Sequence, residues 1–399
     1  MGDDSSYHEA PTRRDYMKYG GAVIGGGLLA GCAGQSDSGS NPPETASDGI
    51  ATNTPAPEDT SYSVEMAPMG RVSFDTIPKS WVPYGGDYAD MGVALGQADG
   101  LTRIGNAGEY YTYVYDELPG VNVDDAVLER QSLIDAEMDK ELFYEMDNDV
   151  HVIDTGMLRN WFDWSDDDVA EIWKNVAPFV GNMIFRRSDS WHDYQYYALY
   201  QAFEKMATLF DERERYEAFR ALHDEYIADI QSRLPPATER PTVMLTYEGT
   251  NEPETFSPYR LNDKGTSKKQ WNDLGVSDAL AGTPVENLST ENRSELDYEN
   301  LLEVDPDVLL IRGHEQKTPT EFRDTVLGYM REHPVGSELT AVQNGRVYRG
   351  GYLRQGPIHN LFLTERGAKQ LYPDEFGTVT GNEELFDRQR VADIINGDI

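Results

Sequence analysis

The segment Glu299 to Ile311, ENLLEVDPDVLLI, reads as the end of a helix, an acidic turn and a buried strand, and it has an echo at Glu141 to Ile153, ELFYEMDNDVHVI. The two share Glu, Leu or Phe, Glu, Asp, Asp-Val and Ile at matching positions 158 residues apart. A second pair, LGQADGL (95–101) and LGVSDAL (274–280), recurs in the same order at an offset of 179. One order in both halves predicts a duplicated α/β lobe, with about 21 extra residues in the first copy, in or near its tyrosine-rich loop.

Working outward, RVSFDTI (71–77), LTRIG (101–105) and VHVIDTG (150–156) are short β-type runs bounded by turn residues, with a helical stretch over Val123 to Met146 that Asp124 is placed to cap. The same grammar returns in TVMLTY (242–247), VDPDVLLIRG (304–313) and GRVYRGG (345–351), with helical stretches at Lys268 to Ala281 and Thr320 to Arg331. Strands alternating with helices predict parallel sheets covered by helices. Between the halves, Trp191 to Arg233 holds neither Pro nor Gly and has helical spacing through Tyr197, Tyr200, Phe203, Met206 and Phe210. Asp211 followed by Glu214 predicts a fresh cap there, so one helix ends near Phe210 and the next runs to Leu234, where Pro235-Pro236 stops it.

The chain has 399 residues, 34 basic against 71 acidic, and a formal charge of −37. Nucleic-acid binding by counterion release requires clustered Lys and Arg, so that class is excluded. The acid excess accompanies a normal apolar share of 39%, which predicts an acidic coat on a folded protein and a high-salt, halophilic habitat. One Cys excludes a disulfide framework.

That Cys ends a recognisable address. Arg13-Arg14, an uncharged apolar stretch from Tyr19 to Ala30 and Leu29-Ala30-Gly31-Cys32 resemble a twin-arginine export signal with a lipobox. The resemblance implies lipidation of Cys32 and anchoring at the extracellular face of the cell membrane. Residues 33–63, rich in Ser, Asp, Pro, Gly and Thr, read as a disordered tether. The expected organisation is a signal and lipobox (1–32), the tether (33–63), an N-terminal α/β lobe (64–190), a helical connector (191–236) and a C-terminal α/β lobe (237–399).

An address, a tether and two α/β lobes on a long helical connector, with LGVSDAL and ENLLEVDPDVLLI, resemble the substrate-binding lipoproteins of ABC importers, in the helical-connector class that delivers iron-siderophore, haem, cobalamin or metal. The resemblance covers about residues 71–376 and is strongest in the second half. It implies two similar α/β lobes with a ligand cleft between them, no enzymatic activity, no resident cofactor, and an ABC permease with its ATPase as partners. It also implies that Glu141 and Glu299 dock on permease arginines. Two carboxylates at equivalent places on duplicated lobes can engage a two-fold partner at once.

Ligand contacts are expected from loops at the carboxyl ends of the strands. Those loops offer Trp81, Tyr84, Trp161 and Trp164 in the first lobe and Tyr247, Tyr259, Arg260, Tyr352 and Arg354 in the second. Aromatic faces with Arg forks suit a large, partly apolar, oxygen-rich anion, here an iron chelate of the ferric hydroxamate kind. Haem, cobalamin or a free metal ion is the alternative cargo. For direct metal coordination, only His314 and His359 of the six histidines in the body are placed to reach the cleft. The rival reading, a secreted α/β enzyme, lacks a G-x-S-x-G elbow, a phosphate loop and an H-E-x-x-H helix. Asn287 and Asn292 fit the glycosylation pattern.

Overall fold

The computed structural model describes residues 61–289, 291–381 and 383–399. The expected export signal, Cys32 and nearly all of the expected tether lie outside the described residues. Strand β1 (Tyr62–Met66) starts inside the last residues of the 33–63 stretch and pairs antiparallel with β2 (Gly70–Phe74), so RVSFDTI belongs to a separate ribbon. No helix among the described residues is long and apolar enough to cross a membrane.

In the first lobe β3 (Trp81–Pro83) and β4 (Val150–Val152) are parallel, and single parallel bridges join Leu101 to Trp81 and Phe179 to His151. Its helices are α1 (Gly86–Ala94), α2 (Ala126–Glu129), α3 (Lys140–Met146), α4 (Thr155–Trp161) and α5 (Asp166–Asn175). The connector is α6 (Leu199–Leu209) and α7 (Arg213–Arg233). In the second lobe β5 (Thr242–Tyr247), β6 (Ser257–Tyr259), β7 (Ser277–Asp278), β8 (Val308–Arg312) and β9 (Val347–Arg349) form one sheet in the order β6-β5-β8-β9, with β7 also on β5. Only β6 runs antiparallel to β5. The helices here are α8 (Lys269–Asp273), α9 (Tyr298–Val304), α10 (Pro319–Phe322), α11 (Gly328–Glu332), α12 (Thr340–Gln343), α13 (Pro357–Leu371), α14 (Pro373–Phe376) and α15 (Arg388–Asn396).

The repeated letters do the same structural work in both copies. Asp147 (φ 47°) and Asp305 (φ 42°) close α3 and α9 in the left-handed conformation, which Asp tolerates better than most residues. Two residues on, the Asp149 carboxylate accepts the backbone N–H groups of Lys79 and Ser80 at 2.8 and 2.9 Å. The Asp307 carboxylate accepts from the N–H and hydroxyl of Thr242, both at 2.8 Å. Each acid thus satisfies donors at the entry to the first parallel strand of its own lobe. Just past LGQADGL, Thr102 N–H donates to the Trp81 carbonyl (3.0 Å); within the end of LGVSDAL, Ala279 N–H donates to that of Val243 (2.9 Å). The stretch from Thr102 to Asp149 is longer than its counterpart from Ala279 to Asp307, which puts the extra residues in the segment that holds the tyrosine-rich loop.

Several local expectations change. LTRIG supplies only the Leu101 bridge. The helix expected over 123–146 is two short pieces, α2 and α3, because Glu137 and Met138 turn at φ 52° and 56° and Ser132 caps the turn through Asp135. The stretch 268–281 is helical only as far as Asp273, since Gly275 (φ 63°) turns the chain into β7. The connector helices begin at Leu199, and the break between them is Asp211 at φ 55°. No Asp211 capping box forms: the N-cap is Glu212, whose carboxylate pairs with Arg215 at 2.8 Å.

Helix α13 ties the halves together. It packs on α8 of the second lobe and on α1 of the first. Asp90 of α1, fully buried, accepts the N–H groups of Ile358 and His359 at 2.8 and 3.2 Å and so caps a helix 268 residues away. Gly356 makes the approach possible, because a Cβ there would lie 2.5 Å from the Asp90 carboxylate. One apolar core runs through β1, β2, α1, both connector helices, α13 and α15, and a smaller core lies within each lobe.

Candidate functional site

Strands β3, β5, β8 and β9 deliver Tyr84, Tyr247, Arg312 and, three and five residues past β9, Tyr352 and Arg354 to the boundary between the lobes. Arg354 is 4% exposed and lies 4.6 Å over the Tyr84 ring and 4.2 Å over the Phe185 ring. Its Nε donates to Glu109 Oε2 at 2.8 Å, and Asp87 is 3.9 Å away. Burial opposes the charge of Arg354, but Glu109 and Asp87 outweigh it and hold the guanidinium above its ordinary range. Burial pushes the Tyr84 phenol up to about 12 against the pull of Arg354.

Arg312 ends β8 at 1% exposure, 4.9 Å over the Tyr259 ring, with Nη2 donating to the Ser267 carbonyl. Its Nε and Nη1 have no hydrogen-bond partner among the described residues. Burial pulls it down to about 10. Arg186 forks onto Asp189 at 2.8 and 3.0 Å and lies 5.3 Å from the rings of both Trp161 and Phe185. Beside these, Thr266 and Ser267 of the second lobe donate backbone N–H groups to Ile184 and Phe185 of the first. Lys268 follows at 1% exposure, drawn down to about 8 by burial, with Asp263 at 3.9 Å.

This neighbourhood concentrates unpaired polar hydrogens. Besides Arg312, the indole N–H groups of Trp161 and Trp191 and the hydroxyls of Thr266 and Ser267 have no partner among the described residues. Buried polar groups are nearly always bonded, so donors left over in one place mark where an acceptor belongs. Such an array can grip an oxygen-rich anion by charge-assisted hydrogen bonds between aromatic walls.

The expected residues divide. Tyr84, Tyr259 and Arg354 are in this cluster, with half-buried Trp161 beside them, next to Tyr84, Phe185 and Trp191. Tyr352 stacks on Tyr111 at 4.4 Å, and half-buried Tyr247 ends β5. Three do not reach the boundary. PKSWVPY contains a strand, not only a loop, and Trp81 turns into the core at 1% exposure, edge-on to Phe210 and bonded to the Gln97 carbonyl at 3.1 Å. Trp164 packs between Phe143 and Phe179 and donates to the Met138 carbonyl. Arg260 turns to Asp278 (3.3 Å) and the Val285 carbonyl (2.8 Å) on its own lobe. Arg186 and Lys268 were not expected here; Glu109 and Arg312 lie in strand-end loops (106–115 and 312–317) expected to face the cleft but were not among the residues named, and a charge closing the apolar run VLLIR was the available signal for Arg312.

The histidines separate too. His314 packs on Phe322, and burial draws it down to about 4; His359 lies between Asp90, Tyr110 and Tyr115. No group of three His, Cys, Asp or Glu able to hold a metal occurs among the described residues. A cavity of about 480 Å³, lined in part by Tyr113, Tyr352, Arg349 and Arg366, lies alongside, with Arg366 paired to Glu315 at 2.8 Å and Lys369 to Glu365 at 2.9 Å, and with unpartnered nitrogens, among the described residues, on Arg366 and Arg388 of the second lobe alone. Unpaired donors from both sides of the boundary, Trp161 on one and Thr266, Ser267 and Arg312 on the other, mark the candidate site. Glu141 and Glu299 are both exposed in the first turns of α3 and α9.

Residues 177–351 match the family model described as "Periplasmic binding protein". No curated protein is significantly similar in sequence. Among solved structures, a periplasmic binding protein from Veillonella parvula DSM 2008 is 15% identical with a TM-score of 0.54, over 82% of this chain and 95% of its own. The iron uptake ABC transporter substrate-binding protein PiuA from Streptococcus pneumoniae is 16% identical with a TM-score of 0.53, over 77% and 98%. The petrobactin-binding protein YclQ from Bacillus subtilis is 13% identical with a TM-score of 0.53, over 78% and 99%. The fold is therefore that of the periplasmic binding proteins whose two α/β lobes are joined by helix.

Proposed function

We propose that the chain is the extracellular solute-binding component of an ABC importer and captures an iron-siderophore chelate between its lobes. One observation carries this: in a chain of net charge −37, Arg186, Lys268, Arg312 and Arg354 gather at the lobe boundary among aromatic rings, with donors left unpaired. The names of the similar iron-uptake and petrobactin-binding proteins support the same cargo class. Within that class, which includes the ferric hydroxamates expected from the sequence, the cationic donors favour chelates with more negative charge. Binding, with no covalent step, is the activity.

Under this proposal, Glu141 and Glu299 face the permease, which a separate ATPase drives. Cys32, lipidated after twin-arginine export, holds the protein at the outer face of the membrane. The test is a tryptophan-fluorescence titration in molar KCl with ferric catecholate, ferric hydroxamate, haem, cobalamin and Zn²⁺. Saturable quenching by a ferric chelate alone is expected, reported by Trp161 and Trp191; a response confined to Zn²⁺, or none, refutes the reading.

A further inference from the structure

The tyrosine-rich segment lies in the stretch that is longer in the first lobe than in the second, and it reaches across the boundary with its side chains. Glu109 pairs with Arg354, Tyr111 stacks on Tyr352, and the Tyr113 hydroxyl meets that of Tyr352 at 2.7 Å. The Tyr111 carbonyl is 3.0 Å from His359 Nε2. The Glu109 side chain is 29% exposed, whereas the arginine it neutralises is 5% exposed, so the carboxylate reaches in from the rim to a cation held in place by two rings.

From this placement we infer that Glu109 is a built-in stand-in for the ligand, a carboxylate that holds the segment over Arg354 until an anionic chelate displaces it, and that it thereby sets which chelates bind. The inference rests on the proposed function. A carboxylate accepts from a guanidinium as a catecholate or carboxylate oxygen of a chelate would, and while Glu109 accepts from Arg354 Nε that donor is closed to the ligand. A neutral chelate leaves the Glu109–Arg354 pair in place, whereas a polyanionic chelate displaces Glu109, offsets the cost of breaking that pair at Arg354 and gains the donors of Arg312 as well. Glu109 is then a specificity-determining residue that discriminates by charge, and the segment moves out as the ligand moves in.

The test compares the full-length protein with its Glu109→Gln variant, which keeps the side-chain shape and removes the charge. Amide exchange of residues 106–118 is followed by mass spectrometry, without ligand and with trianionic ferric tris-catecholate, and both proteins are titrated with that chelate and with a neutral ferric hydroxamate. In the absence of ligand, Glu109→Gln is expected to speed exchange across 106–118 by about tenfold, and to tighten tris-catecholate binding by about tenfold against less than about twofold for the hydroxamate. In the wild type, tris-catecholate is expected to speed exchange of the same segment. Slower exchange on ligand binding would make the segment a lid rather than a stand-in and overturns the inference, as does unchanged ligand-free exchange in Glu109→Gln. If the wild type binds no ferric chelate, the proposed cargo fails, and the ligand-free exchange still decides on Glu109.

Discussion

Replacing Arg312 by Met should stabilise the protein while destroying its site. The arginine is 1% exposed, and burial lowers it from an ordinary 12.5 to about 10, a penalty on the charged form of about 3 kcal/mol. Two of its nitrogens, Nε and Nη1, are also unpaired, at about 1–3 kcal/mol each, a cost that overlaps with the first. Against this stand the Tyr259 ring at 4.9 Å and the bond to the Ser267 carbonyl, together worth about 2–4 kcal/mol. Met has a similar length and needs no partner, so Arg312→Met should gain about 1–2 kcal/mol, raising Tm by about 1–3 °C in a body of this size. Affinity for ferric tris-catecholate should fall by at least about a hundredfold, as expected when a buried anchor is lost. Differential scanning calorimetry in molar KCl, paired with the fluorescence titration, reads both effects. A variant that melts several degrees lower yet binds as before would show that Arg312 is a structural strut, and the argument from unpaired donors would fail.

Lys268 makes stability depend on pH. Its folded value of about 8 lies below the usual 10.5, so between those values the unfolded chain keeps a proton that the folded chain has released. Stability should therefore rise as pH climbs from 8 to 10.5, by up to about 3 kcal/mol, and Lys268→Met should flatten that slope in denaturant titrations. Trp81→Ala should cost about 3–5 kcal/mol of stability and leave chelate affinity within about twofold, because Trp81 is a core residue 5.3 Å from Phe210. A large loss of affinity in folded Trp81→Ala would return it to the site. The double variant Glu141→Ala, Glu299→Ala should bind chelate normally and lose uptake in vesicles carrying the permease, with each single change giving a partial loss; full uptake by the double variant counts against docking through these residues.

What was legible in the sequence was mostly local. The turns at Asp147 and Asp305 are set by the residues themselves, so their spacing recurs in both halves, and the carboxylates two positions on, Asp149 and Asp307, recur with them although their partners lie 65 to 70 residues earlier in the chain. Strand β5 matches TVMLTY because a run of apolar residues is buried from end to end there. Strand β3 is three residues long and contains Pro83, so it has too little pattern to betray itself, and Trp81 was expected at the wrong place for that reason. Tyr84, Tyr259 and Arg354, expected from the rule that ligands meet the carboxyl ends of strands, do lie at the lobe boundary. The rule names a loop and not the direction of its side chains, which is why Arg260 and Trp164 turned elsewhere. The pairing of Glu109 with Arg354 joins residues 245 apart and has no local signature at all.

The cap that Asp90 places on α13 also has a bearing on how the chain is made. Helix α1 is complete within the first quarter of the sequence, yet its buried carboxylate finds the N–H groups of Ile358 and His359 only after nearly the whole chain has been synthesised. Until then the apolar face that α1 shares with α13 and α15 has no cover, so the first lobe cannot finish folding on its own as it leaves the ribosome. A chain cut short before Pro357 would leave that face bare, and the two halves should melt in a single transition rather than two.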